Sequence, residues 1–294
     1  MTPSFERFIH PARAKPELWR LFAGCIVMLG VYAGFIAGFF FLLRLASQRG
    51  LVAPVLQMPE IAATPWGLVV LLATFIGLAV APMVAVRLLH KRGPGTLFGR
   101  AAVVLRDFAT AFVVVGLILS LSVGIWTLVY DATPGLPPAT WLGFLPLALL
   151  LVLIQTGAEE LVFRGYLQQQ LAARFASPLI WAVFPSLLFG LAHYAPAEMG
   201  ANAWLVVGVT ATFGLLAADL TAKTGSLGAA WGFHFANNCL ALLVLATEGT
   251  LTGLALYVTP YKVDDTSLAR SVLALDVAMM VLAWWVIRRV CRAR

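Results

Sequence analysis

Three short stretches carry residue types able to do acid–base or metal chemistry in otherwise apolar surroundings. The first is Gly157-Ala158-Glu159-Glu160-Leu161-Val162-Phe163-Arg164, two adjacent carboxylates with an arginine four residues after the second. On a helix Glu160 and Arg164 share a face and can pair. Glu159 points about 100° away and is free for another partner. The second stretch is Phe189-Gly190-Leu191-Ala192-His193. The third is His234-Phe235-Ala236-Asn237-Asn238, where His234 and Asn238 are four apart and so also share a face. A glutamate, two imidazoles and an amide donor suit activation of a water and stabilisation of an oxyanion. Glu159, His193 and His234 equally form a carboxylate/His/His set for a divalent metal such as zinc with one open position. Each stretch alone has a plainer reading: a charged helix end, an interfacial histidine, a polar clamp between helices. Ionisable groups inside membrane helices are nevertheless costly and mark functional sites by default.

Other chemistries find no support. There is no HExxH zinc motif and no phosphate-binding glycine loop of the Walker type. No serine stands between Gly157 and Gly165 to serve as an elbow nucleophile. Asp219 and Lys223, again four apart, read as a solvated helix end. His10 and His90 lie in basic flanking segments and are expected to be exposed. Cys25, Cys239 and Cys291 are too scattered for a disulfide framework or a cysteine zinc site.

The elements that must position these residues are membrane helices. Hydrophobic residues make up 61% of the chain and charged ones 11%, against about 25% charged in soluble domains. A mean hydropathy of +0.92 leaves too little polar surface to cover a soluble core of 294 residues. The apolar runs are long and lack the alternation of barrel strands, so an all-α bundle is expected. Eight helices are predicted, over 19–45, 66–89, 108–130, 141–170, 179–195, 202–219, 227–247 and 271–290. The polar connections 46–65 and 248–270 are too short for a separate core. The chain therefore reads as one polytopic domain, 1–294, with its chemistry in helices 141–247. The first run is too long for the core of a signal peptide and reads as a retained helix. Gly30, Gly34 and Gly38 predict a flat face for close helix packing within the monomer.

Placing the N-terminus in the cytoplasm and alternating sides puts all but Arg44, Arg49, Lys262 and Arg270 of the 20 Lys and Arg on the cytoplasmic side. That is the positive-inside bias, with both termini cytoplasmic. It also accounts for the net charge of +7 without a nucleic-acid partner. The Ala, Leu, Gly and Arg usage reads as bacterial, which points to an inner membrane.

In order and on successive apolar helices, Glu159-Glu160-x-x-x-Arg164, Phe189-x-x-x-His193 and His234-x-x-x-Asn238 resemble the three signature motifs of the CPBP family. That membrane family includes the type II CAAX prenyl endopeptidases and the bacteriocin-processing or immunity proteins. Gly165 and Thr224-Gly225-Ser226-Leu227 fit the pattern as well, and the resemblance covers roughly 141–247. It implies hydrolysis of a peptide bond within the membrane, on a peptide or membrane-protein substrate that in some members is lipid-modified. It makes Glu159 the general base. His193 and His234 would position the water or a metal, and Asn238 would help form the oxyanion site. Glu160 and Arg164 would hold the geometry. The resemblance leaves both a metal cofactor and a metal-free mechanism open. The competing reading is a noncatalytic immunity or transport-type protein with a polar cavity, although the internal repeats of transporters are not seen. One geometric tension accompanies the protease reading. Glu159 sits toward the cytoplasmic side of the predicted helices and His193 far along the next one. Catalysis therefore requires their depths to coincide, in a water-filled cavity open to the cytoplasm.

Overall fold

A computed structural model describes residues 1–52, 61–265 and 268–291, with the backbone alone at 268–270. Residues 53–60 of the predicted connection, and Arg292 and Arg294, lie outside the described residues. The chain opens with a short helix α1, Pro3–Ile9. The Thr2 hydroxyl accepts from Phe5 N at its start, and Pro3 fills the first-turn position where a missing N–H costs nothing. Then come α2 (Leu18–Gln48), α3 (Pro65–Leu89), α4 (Ala101–Trp126) and α5 (Pro138–Arg174). After these follow α6 (Leu179–Leu191), α7 (Ala203–Thr224), α8 (228–244) and α9 (Leu268–Val290). Thr64 caps α3 through Gly67 N, again with proline first. Gly225 ends α7 in the left-handed region, φ +72°, where a Cβ would lie 2.3 Å from Ser4 O.

Among the described residues six helices are long and apolar enough to cross a membrane: α2, α3, α4, α5, α9, and α7 counted with its preceding turns from Pro196. The other two of the eight expected, α6 and α8, are shorter. The predicted ends move most where polar residues disguise helix. The fourth helix extends past 170 to Arg174, and the third begins at Ala101 rather than 108. The sequence also gave no hint of a small three-stranded sheet, order β1-β3-β2, with β1 Thr133–Pro134, β2 Leu245–Glu248 and β3 Tyr257–Lys262. β1 runs antiparallel to β3 and β2 parallel to it, pairing Thr133 with Val258 and Ala246 with the same Val258. It caps the end of the bundle where α5 starts and α8 stops.

The opposite end collects the N-terminal turns, the connections α3–α4, α5–α6 and α7–α8, and the basic end of α9. Thr2 Oγ1 donates to Ala222 O at 2.8 Å, and Gly99 bridges to Ser226. Gln169 Nε2 donates to Phe8 O at 2.7 Å and Thr96 O at 2.9 Å, and its Oε1 accepts from Arg92. His90, expected at the surface, is buried: its ring bonds Tyr166 Oη at 3.0 Å, Lys15 O at 3.2 Å and the Gln170 amide. Burial pushes its pKa down to about 4, so it sits there neutral. Asp219 turns away from Lys223, accepting from Trp284 Nε1 and pairing with Arg288 at 2.9 Å.

Close helix approach occurs at glycines other than those expected. A Cβ on Gly228 would lie 2.3 Å from Val104 O, and one on Gly232 2.2 Å from Phe108 O. These two glycines, four apart, let the backbone of α8 touch that of α4. At Gly30, Gly34 and Gly38 nothing lies within 4 Å of such an atom, so that stripe packs against nothing among the described residues.

Candidate active site

α5 bears the carboxylates, and α8 brings an imidazole between them. Glu159, Glu160, Arg164 and His234 are all buried. Glu160 Oε1 accepts from Arg164 Nη1 at 2.9 Å, the pairing that the spacing predicts, and lies 2.9 Å from His234 Nδ1. His234 Nε2 lies 3.5 Å from Glu159 Oε2. One imidazole thus spans two carboxylates, with a single guanidinium behind the second. Glu159 Oε2 and Glu160 Oε2 are buried without a hydrogen-bond partner among the described residues. A buried carboxylate oxygen with nothing donating to it is costly unless something binds there.

The backbone around this pair is built to face α7. After Glu160 the helix widens into π-turns over Leu161–Gln168, a departure common at functional sites. Glu160, Arg164 and Gln168 then follow at four-residue intervals. Arg164 Nη2 donates to Gly214 O at 3.2 Å and Gln168 Nε2 to Ala218 O at 2.9 Å, two carbonyls also four apart on α7. Phe189 closes the box: the Arg164 guanidinium stands over its ring at 4.7 Å, a cation–π distance.

By residue count the first two motifs lie at comparable distances from the α5–α6 connection. Glu159 lies 15 residues before Arg174, and His193 lies 14 residues after Leu179. At about 1.5 Å per residue, both stand a little over 20 Å from the α5–α6 connection. His193 nevertheless keeps some distance. Its Nδ1 lies 2.8 Å from Phe189 O, and the Phe189 ring stands 4.8 Å from His193 and 6.0 Å from His234. No hydrogen bond or ion pair joins His193 to either glutamate among the described residues. Asn238 binds a residue the sequence reading missed: its Nδ2 donates to Gln155 Oε1 at 2.9 Å, and Gln155 Nε2 donates to Glu159 Oε1 at 2.9 Å. Gln155 could have been found at i−4 from Glu159, a polar residue on the same face of an apolar run.

His193 and Asn238 are partly exposed, whereas Glu160, Arg164 and His234 are sealed. The cavity of about 600 Å³ at the basic end is lined by Ser4, Arg7, Arg100 and Arg106 among others, and by none of the six candidate residues. This cavity is therefore distinct from the one expected at the site. The donor set fits a metal only in part. Both imidazoles spend Nδ1 on a protein oxygen and leave Nε2, as metal-binding histidines do. Of Glu159, His193 and His234, however, only Glu159 and His234 are brought together, and no three His, Cys or carboxylate side chains are grouped to hold an ion among the described residues.

Fold and site together define a polytopic helical membrane protein with a buried carboxylate–imidazole pair at its centre. Residues 138–240, which hold all six candidate residues, match the family described as type II CAAX prenyl endopeptidase Rce1-like. The chain is also 29% identical over 254 residues, 84% of each chain, to the uncharacterized protein YyaK of Bacillus subtilis (strain 168). No solved structure matches it.

Proposed function

We propose that this chain is an intramembrane endopeptidase that hydrolyses a peptide bond with a water activated by Glu159. One observation carries the reading: Glu159 Oε2, buried and unpartnered, faces His234 Nε2 at 3.5 Å. An ionised Glu160 only accepts, so the 2.9 Å contact puts a hydrogen on His234 Nδ1 and leaves Nε2 of the neutral ring a bare acceptor. Two such neighbouring acceptors call for a shared donor, and one water beside them can donate to both.

In the reaction the water oxygen bonds to the scissile carbonyl carbon while one of its protons passes to Glu159. The carbonyl oxygen becomes an oxyanion. Asn238 spends one amide hydrogen on Gln155 and keeps the second for that oxygen. Collapse breaks the C–N bond, and the proton on Glu159 moves to the departing nitrogen, which restores the carboxylate. His193 donates through Nδ1 to Phe189 O and leaves Nε2 to orient the water or the substrate. Glu160 and Arg164 hold the His234 ring. The substrate is a peptide or membrane-protein segment, and the family description makes a prenylated peptide the first to try.

The test is cleavage by purified protein of a quenched prenylated peptide and a small panel of membrane peptides. Wild type is compared with Glu159→Ala and His193→Ala, each with and without chelator. Loss of cleavage in both variants is expected, with no effect of chelator. A chelator-sensitive rate would assign Glu159 and His234 to a metal instead. Cleavage of nothing, or cleavage indifferent to both substitutions, would favour the noncatalytic binding reading.

A further inference from the structure

Gln155 is 6% exposed in α5, one turn before Glu159, and belongs to none of the three motifs. Its hydrogen bonds form part of a one-way chain. Asn237 Nδ2 donates to Asn238 Oδ1 at 3.3 Å, Asn238 Nδ2 to Gln155 Oε1 at 2.9 Å, and Gln155 Nε2 to Glu159 Oε1 at 2.9 Å. The direction is set at its end. An ionised carboxylate only accepts, so Gln155 must turn its NH₂ toward Glu159. Its oxygen then faces Asn238, which must answer with nitrogen, leaving the Asn238 oxygen to accept from Asn237. Bonds aligned this way in a low-dielectric interior reinforce one another.

We infer that Gln155 is a positioning residue that couples the general base to the oxyanion donor. The inference rests on the hydrolase reading above. By occupying Oε1 of Glu159, Gln155 turns Oε2 toward His234, where the water is held. By accepting from Asn238, it fixes the plane of that amide and so the direction of the remaining N–H. A plain clamp between α5 and α8 would need only some polar pair. This one joins the two groups that act on opposite sides of the same carbonyl, and only a side chain that both donates and accepts can do it.

The test uses full-length protein and whichever quenched peptide the wild type cleaves. Gln155→Leu keeps the volume and removes both bonds. A misplacement of the order of 1 Å can cost about 100-fold, so kcat is expected to fall about 100-fold with KM little changed. Gln155→Glu carries the sharper signature. Protonated, its O–H donates to Glu159 and its C=O accepts from Asn238, reproducing the amide. Ionised, it offers Glu159 only repulsion. Its cleavage relative to wild type is therefore expected to recover as pH falls. Wild-type kcat in Gln155→Leu would overturn the proposal. If that variant does not fold, a Gln155→Glu enzyme that follows the wild-type pH profile would overturn it equally. Glu159→Gln is run alongside. Its inactivity beside an active Gln155→Leu refutes the role of Gln155 alone, whereas its full activity refutes the hydrolase reading.

Discussion

Two buried histidines lie in the bundle, and they live differently. His90, at the basic end, is held at both ring nitrogens by Tyr166, Gln170 and the Lys15 carbonyl. His234, at the centre, has Nδ1 fixed by Glu160 and Nε2 turned to Glu159 at 3.5 Å with no hydrogen bond made. Both neighbourhoods contain polar atoms without partners among the described residues. Around His90 these are two donor nitrogens of Arg92 and the amide oxygen of Gln170, none of which is a base. Around His234 they are two carboxylate oxygens, which can receive a proton from a bound water. Burial of a histidine therefore marks nothing by itself. What separates a clamp from a site is whether the unsatisfied valence beside it can carry a proton.

The largest effect of a substitution is expected at Arg164. Its pairing with Glu160 is sealed from solvent, the two side chains being 2% and 0% exposed. Removing one partner of a buried pair strands the other charge at a cost of about 3–5 kcal/mol. Arg164→Ala should therefore give little folded protein, read by yield and by the melting temperature in detergent, whereas Arg164→Lys should recover part of the yield.

Next comes the α4–α8 contact that carries His234. Gly232→Ala would push a methyl group against the Phe108 carbonyl, 2.2 Å away, and backbone cannot step aside as a side chain can. A loss of about 3 kcal/mol is expected, the upper part of the overpacking range, together with loss of cleavage.

The His90 clamp gives a smaller effect with a definite sign. Its folded pKa lies at about 4, below the ordinary 6.5. The unfolded chain then binds the proton more readily, so stability is complete above pH 6.5 and drains away as pH falls toward 4. At pH 5 the loss amounts to about 2 kcal/mol, from about 1.4 kcal/mol per pH unit. Melting temperatures at pH 7 and pH 5 should differ more for wild type than for His90→Gln. An equal difference would remove His90 as the cause. The smallest effect is a null one: Gly34→Ala meets nothing within 4 Å and should leave the melting temperature where it is.

Much of this was legible in the sequence because lipid is a demanding solvent. The six long spans follow from unbroken apolar runs. Glu160–Arg164 follows from i, i+4 geometry, and the three motifs stand out because each interrupts such a run. What hid did so for physical reasons. The fourth helix, expected to stop at 170, continues to Arg174, and Gln168, Gln169 and Gln170, which look like a surface end, spend their amides on carbonyls and rings inside the protein. His90 resembles a flanking residue until Tyr166 and Gln170, far along the chain, are folded over it. Gly228 and Gly232 give no more signal than Gly30 and Gly34. Which pair meets another backbone depends on helix order, which periodicity does not encode.

The most direct test sets the two histidine neighbourhoods side by side in one assay. Cleavage of the same quenched peptide is measured per mole of folded protein for wild type, Glu159→Gln and His90→Gln. General acid–base groups contribute typically 10²–10⁴-fold. Glu159→Gln should therefore lose at least about 100-fold with an unchanged melting temperature, while His90→Gln should cleave within a few-fold of wild type and melt differently. Equal cleavage by wild type and Glu159→Gln would contradict the account, because the unpartnered oxygen facing His234 would then activate nothing.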